Sequence, residues 1–145
     1  APSALAEVFG TAPNATNLGA ECLYLALCAE GAVGFGVFDE RLGNTDADAL
    51  ARRAKGFEAA DLFEIVDDWD NPIAYFHNRD YGRKDPYVTI DPNTGEELHS
   101  VVEAQKNEKT LRWANPTSFQ LISAGPDGVF GVNEETGEND DITNF

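Results

Sequence analysis

Methionine is absent from this chain of 145 residues, cysteine occurs only twice, and basic residues are few. Ten Lys and Arg face 26 Asp and Glu, a formal net charge of −16. No base precedes Arg41 and none follows Arg112. That scarcity excludes the clustered cations that nucleic-acid phosphates and anionic membrane surfaces reward, and leaves room for cation binding. Long apolar runs are missing too. The longest stretch without a charge, Trp113 to Pro126, contains two prolines and an asparagine, whereas a membrane span needs about 20 mostly apolar residues. The first forty residues have neither a basic n-region nor an apolar h-region, so they do not read as a signal peptide. With Ala1 first and no methionine, the chain is expected to be a trimmed or processed product whose targeting segment is not in the text.

Cys22 and Cys28 do not make a disulfide framework. On one helix, six residues apart, they would lie about 9 Å apart along the axis on different faces, and buried free thiols are expected. What is present in quantity, 42% hydrophobic and 10% aromatic residues, fits one globular domain.

Apolar Leu5, Val8 and Phe9 have helical spacing before Gly10 and Pro13. Asn14 and Asn17 offer N-caps to a buried helix with the stripe Leu18, Cys22, Leu25 and Ala29, stopped by Gly31. A glycine-rich connection follows, with Phe35 and Phe38 expected to pin it to the core. Thr45 or Asp46 can cap a helix through residues 47–55, ended by Gly56. From Phe57 the period changes. Residues 62–69 and 72–78 read as short strands around the turn Asp70-Asn71-Pro72. Residues 86–102 read as two strands around Asp91-Pro92-Asn93-Thr94-Gly95, where proline presets φ and glycine accepts φ > 0. Residues 103–112 read as a loop or fringe helix and 118–124 as a last strand. Gly125 to Phe145 reads as a long loop. Helices first and an antiparallel sheet afterwards predict an α+β domain, divided into a helical and variable region (1–60), a sheet (61–123) and an acidic C-terminal loop (124–145).

A loop of twenty residues is uncommon unless something orders it. This one gathers Asn133, Glu134, Glu135, Glu138, Asn139, Asp140 and Asp141, which repel one another at neutral pH. Gly125, Gly128, Gly131 and Gly137 permit tight reversals that turn carbonyl oxygens inward. Oxygen donors without His or Cys select a hard cation, and Ca²⁺ tolerates irregular coordination better than Mg²⁺. The EF-hand order is absent. A plain solvated acidic loop is the competing reading.

The stretch "LISAGPDGVFGVN…DDITNF" resembles the C-terminal calcium loop of type II secretion major pseudopilins and related pilin-like proteins. "DDWDNPIAY" resembles their earlier D-x-W-G-x-P-x-x-Y element, carried by Asp68 or Asp67, Trp69, Pro72 and Tyr75, with Asp70 where the family has glycine. The resemblance covers roughly residues 62–145. It implies a pilin-like fold, with an N-terminal helix and a variable helical region packed on a small antiparallel sheet beside a long calcium-binding loop. Matched residue by residue, it places Ca²⁺ on Ser123, Asn139, Asp140 and Asp141, with Asp127 a weaker candidate in a Pro-Asp-Gly setting that equally suits a turn. Asn139 stands where the family has an acid, and Glu134–Glu138 is an apparent insertion. The Trp69 element is expected to pack at the corner supporting the loop. With Ca²⁺ bound, Ile142 and Phe145 are expected to dock on the sheet.

Enzyme chemistry finds little support. His77 and His99 are isolated, Ser123 has no G-x-S-x-G setting, and no P-loop or zinc spacing occurs. No catalytic or cofactor-binding residue and no small-molecule substrate is assigned. The resemblance implies a structural subunit of an extracytoplasmic pilin-like filament, most simply a type II secretion pseudopilin. Its partners would be other subunits and the inner membrane, reached through a missing hydrophobic helix, and its location periplasmic or extracellular. The alternative is a secreted, calcium-stabilised binding or adhesion module.

Overall fold

The computed structural model describes residues 14–28, 41–50 and 60–145. Helix α1 spans Leu18–Cys28, and seven strands follow: β1 Leu42–Gly43, β2 Glu64–Ile65, β3 Ala74–His77, β4 Lys84–Ile90, β5 Glu97–Glu103, β6 Phe119–Ser123 and β7 Ile142–Thr143. A short 3-10 turn, Asn78–Asp80, links β3 to the β4 hairpin. The helices expected before Gly10 and across residues 51–55 lie outside the described residues.

The expectation of an α+β, pilin-like domain, with helices first and one antiparallel sheet after residue 57, is overturned, since β1 and the Ala49 bridge already precede that residue. Among the described residues there is one α-helix, 11 residues long, and the strands form three small antiparallel sheets ordered β1-β2, β3-β6-β7 and β4-β5. No described helix is long and apolar enough to cross a membrane. The N-terminal part of the helix expected at 47–55 is absent. Ala47 has a positive φ of 55°, and Ala49 makes an antiparallel bridge with Asp61. The tail is not all loop either, since β7 pairs with β6, Ile122 opposite Thr143 and Ser123 opposite Ile142.

A reason for several sheets lies in the free edge of β4. One edge pairs with β5 along its full length, Lys84 opposite Glu103 through Ile90 opposite Glu97. Its other edge meets side chains and a loop instead of a strand. The carbonyl of Pro86 accepts the Asn17 N–H at 2.9 Å. The Val88 N–H donates to Asn17 Oδ1 at 2.9 Å, the Val88 carbonyl accepts from Thr45 Oγ1 at 3.2 Å, and the Ile90 N–H donates to Asn71 Oδ1 at 2.8 Å. Short polar side chains thus satisfy an edge that would otherwise recruit another strand. Asn17 therefore is not a simple N-cap. It is fully buried, has φ of 55°, and cross-links the start of α1 to β4.

The core gathers Ala20, Ala74, Phe76, Tyr87, Val102, Ala104 and Ile122, with Tyr81, Trp113 and Phe130 packed against it. Helix α1 lies close to β3 and β4 at Gly19. A Cβ there would come within 2.4 Å of the Tyr87 hydroxyl and 2.6 Å of the Tyr75 carbonyl oxygen, so only glycine allows this approach. Leu25 packs on a smaller cluster of Leu50 and Leu62.

Candidate cation sites

The two sequence elements singled out by resemblance meet in space. Strand β3 follows the Trp69 turn and pairs with β6, Ala74 opposite Ile122. At the turn itself Asp67 is the organising acid. Its Oδ1 accepts the N–H groups of Trp69 and Asn71 at 2.9 and 3.0 Å, and its Oδ2 accepts the Ser123 hydroxyl at 2.5 Å. Asp68 is exposed and pairs with Arg41. Asp70 takes the left-handed conformation, φ 61°, which an aspartate tolerates better than most residues. Pro72 is buried, but Trp69 remains 40% exposed and does not plug the corner.

The C-terminal loop is tethered at both ends. The Thr89 hydroxyl donates to the Gly128 carbonyl at 2.6 Å, and the Leu121 N–H donates to Asn144 Oδ1 at 2.9 Å. The insertion closes on itself, with Asn133 N–H bonded to the Glu138 carbonyl and Gly137 N–H to that of Asn133. Within this frame the expected ligands are used differently. Ser123 is bonded to Asp67 and accepts the Gly125 N–H at 3.1 Å. Exposed Asn139 accepts the Asp141 N–H through its Oδ1 at 3.0 Å. Asp141 accepts the Gly131 N–H at 2.9 and 3.1 Å. Asp127 accepts the Val129 N–H at 2.8 Å and the Asn133 amide at 2.9 Å.

Asp140 is the exception. Its Oδ1 is buried with no hydrogen-bond donor among the described residues, although the backbone N–H groups of Asp127 and Asp140 and the Asp127 side chain act on the carboxyl as a whole. A Cβ at Gly125 would lie 2.5 Å from the Asp140 carbonyl oxygen and 2.8 Å from Oδ1, so two Asp140 oxygens turn toward the Ser123–Gly125 corner. Desolvation and then the charge of Asp127 raise the Asp140 pKa. Burial pushes Asp141 up to about 6 despite the Gly131 N–H, with Asp140 and Asp127 adding to the rise. An orphan carboxylate oxygen beside a carbonyl, in a field of acids, fits a hard cation. The tail joins the sheet through the β7 backbone, but the Ile142 and Phe145 side chains do not pack on it. They are 53% and 44% exposed.

A second acidic group escapes sequence reasoning. Glu21 of α1, Asp46 after β1 and Glu64 of β2 offer carboxylate oxygens that all lie within 4.8 Å of one another. Glu21 and Glu64 are fully buried. Glu64 is held by the Asn17 amide at 2.8 Å and the Thr45 N–H at 3.2 Å, whereas no N–H or hydroxyl among the described residues donates to either Glu21 oxygen, which faces the Asp48 carboxyl instead. Burial, then the charges of Asp48, Asp46 and Glu64, push the Glu21 pKa up to about 10. Burial likewise raises Glu64 to about 7 and Asp48 to about 6. The signal in the sequence was parity. Glu21 falls on the face of Leu18 and Leu25, three residues after one and four before the other, and Glu64 alternates with buried Leu62 and Val66.

Taken together, the fold and these residues define a small, mainly antiparallel domain with one convergent acidic group among the described residues, Glu21, Asp46 and Glu64, and a C-terminal loop whose Asp127, Asp140 and Asp141 do not form such a group. Comparison with protein-family models, curated proteins and solved structures finds no match for the chain.

Proposed function

We propose that this chain is a non-catalytic structural subunit of an extracytoplasmic filament of the type II secretion pseudopilin kind, with its sheet-and-loop half clamped by Ca²⁺. The observation behind this reading is the Ser123–Asp67 hydrogen bond. It joins the two elements on which the resemblance rests, which are 56 positions apart in sequence. The reading draws on that half alone and makes no use of a helix-on-sheet plan. In it, Asp140 supplies the principal loop oxygens at the Ser123–Gly125 corner, and Asp141 and Asn139 would have to turn from their backbone partners to join it. When bound, Ca²⁺ would supply charge neutralisation to a segment whose acids otherwise repel. The chain's own part is mechanical. Gly125 and Gly128 turn the loop back on the sheet, Thr89 and Asn144 tie it down, and β7 seals the edge of β6. The partners would be neighbouring subunits and, through a hydrophobic helix upstream, the inner membrane, with the globular part in the periplasm or outside the cell.

A secreted binding or adhesion module is the second reading. The observation favouring it is the architecture, since the single described helix is short and the rest is sheet and loop. The coding sequence upstream of Ala1 separates the two. A short basic leader, a glycine cleavage point and about 20 apolar residues are the expected finding for a filament subunit. A conventional secretory signal ending at a small-residue cleavage site would overturn that reading and favour the module.

A further inference from the structure

The buried acidic group at the foot of α1 has no role in the loop site, and its geometry asks for a partner. Four carboxylates converge there from three parts of the chain: Glu21 on α1, Asp46 and Asp48 after β1, and Glu64 on β2. Buried oxygens without a donor are concentrated in this place. Both Glu21 oxygens, Asp46 Oδ1 and Asp48 Oδ1 accept from no N–H or hydroxyl donor among the described residues, and the side-chain contact Glu21 makes is with another acid, Asp48. The donors that reach the group, from Asn14, Asn17 and Thr45, bond the other oxygens of Asp46, Asp48 and Glu64. The ion pairs among the described residues all end elsewhere, Arg41 on Asp68, Arg83 on Asp80 and Asp85, Lys84 on Glu103 and His99 on Glu97.

An uncompensated carboxylate in a protein interior is strongly unfavourable, and the interior supplies either a proton or a cation. The side chains facing Glu21 are themselves acids, so protons held there leave acid packed against acid, with no basic partner among the described residues. A divalent cation supplies the missing positive charge. Oxygen ligands of one Ca²⁺ lie at 2.3–2.6 Å, so no two of them are more than about 5 Å apart. The oxygens of Glu21, Asp46 and Glu64 meet that condition at 4.8 Å or less. Asn17 and Thr45 orient Glu64 from behind, as outer hydrogen bonds orient ligands in metal sites.

We propose that Glu21, Asp46 and Glu64, with Asp48 beside them, form a second site for a hard divalent cation of calcium size, separate from the C-terminal loop. Its occupant ties α1 to the β1–β2 strand pair by replacing protons with a shared positive charge. All-oxygen donors from a turn, a helix and a strand suit the irregular coordination of Ca²⁺ better than the strict octahedron of Mg²⁺.

The test uses the full chain, stripped with chelator and titrated with Ca²⁺ alone, Mg²⁺ alone and Tb³⁺ alone at fixed ionic strength. Bound ions per chain are counted by equilibrium dialysis and by native mass spectrometry. Glu21→Gln keeps the shape, removes the charge, and is expected to lose one bound Ca²⁺ per chain while retaining any ion that Asp141→Asn removes. Asp46→Ala, at a half-exposed turn, is the second variant, and is expected to weaken the same site at least about tenfold. If Asp141→Asn removes nothing while Glu21→Gln removes an ion, this site stands and the loop reading falls. If the wild type binds no ion beyond the one lost in Asp141→Asn, the proposal is overturned. Unchanged stoichiometry and affinity in both Glu21→Gln and Asp46→Ala overturn it equally, as does a site that prefers Mg²⁺.

Discussion

The C-terminal loop and the foot of α1 are both acidic, yet they handle charge in opposite ways. In the loop, acids crowd the sequence, and most of them are exposed or accept backbone N–H groups, as Asp141 does from Gly131 and Asp127 from Val129. One oxygen, Asp140 Oδ1, is left buried with no hydrogen-bond donor among the described residues. At the foot of α1, acids are sparse in the sequence, but two are fully buried and four oxygens accept from no N–H or hydroxyl donor among the described residues. Density of acidic residues along a chain therefore says little about where charge is confined. Confinement depends on which residues lie on faces that turn inward, and those faces come together only when distant segments pack.

The sharpest way to break the contrast is Asn17→Ala. It strips donors from Glu64 and Thr45 and an acceptor from Val88 N–H, enlarging the unsatisfied group at α1 and leaving the loop untouched. Losing several buried hydrogen bonds at once is expected to destabilise by about 3 kcal/mol, read as a lower urea midpoint. Gly125→Ala attacks the other region. Its φ of 68° and the Asp140 oxygens behind it leave no room for a Cβ, and a loss of about 2 kcal/mol is expected. The same denaturation series checks it, with Ca²⁺ response measured in parallel.

Acidity sharpens the comparison next. Glu21, Glu64, Asp48 and Asp141 all have folded pKa values above their ordinary ones. A carboxyl raised in the folded state keeps its proton where the unfolded chain has lost it. Rising pH therefore costs stability, beginning near the unfolded value of 4.5 for Glu and continuing through about 7 for Glu64 toward about 10 for Glu21. In chelator, the melting temperature is expected to be higher at pH 5.5 than at pH 8, by about 5 °C. Glu21→Gln should flatten much of that slope, and Asp141→Asn a smaller part, because Asp141 starts from about 6. A melting temperature that falls on acidification from pH 8 to 5.5 would contradict this. The smallest effect belongs to the insertion. Glu134→Gln and Glu135→Gln alter exposed side chains, and each is expected to move stability by less than about 0.5 kcal/mol.

Local chemistry was legible in the sequence wherever it acts over a few residues. The turn at residues 91–95 forms as its composition demands. Asp91 accepts the N–H groups of Asn93 and Thr94 at 2.7 and 3.1 Å, and Gly95 takes φ of 72°. The helix beginning at Leu18 and the left-handed aspartate at 70 follow from propensity and sterics in the same way, whereas the expected switch from helix to strand near residue 57 does not hold, because β1 and the Ala49 bridge come before it. The acidic loop and its glycine corners could be located, because their residues are contiguous. Asp67, rather than Asp68, as the partner of Ser123 could not, since neighbouring aspartates are chemically identical until one of them is buried.

Composition and spacing by themselves determined that this is a strongly acidic chain with a short helix, tight turns and strands of alternating exposure, for these depend on neighbours within a few positions. Tertiary structure alone decided that the strands divide into three sheets, because side chains of Asn17, Thr45 and Asn71 satisfy the free edge of β4 from three distant segments. It alone decided that Glu21 meets Asp46 and Glu64. The physical reason is common to both. Hydrogen-bond satisfaction and burial of charge are properties of surroundings, and those surroundings are assembled from residues far apart along the chain.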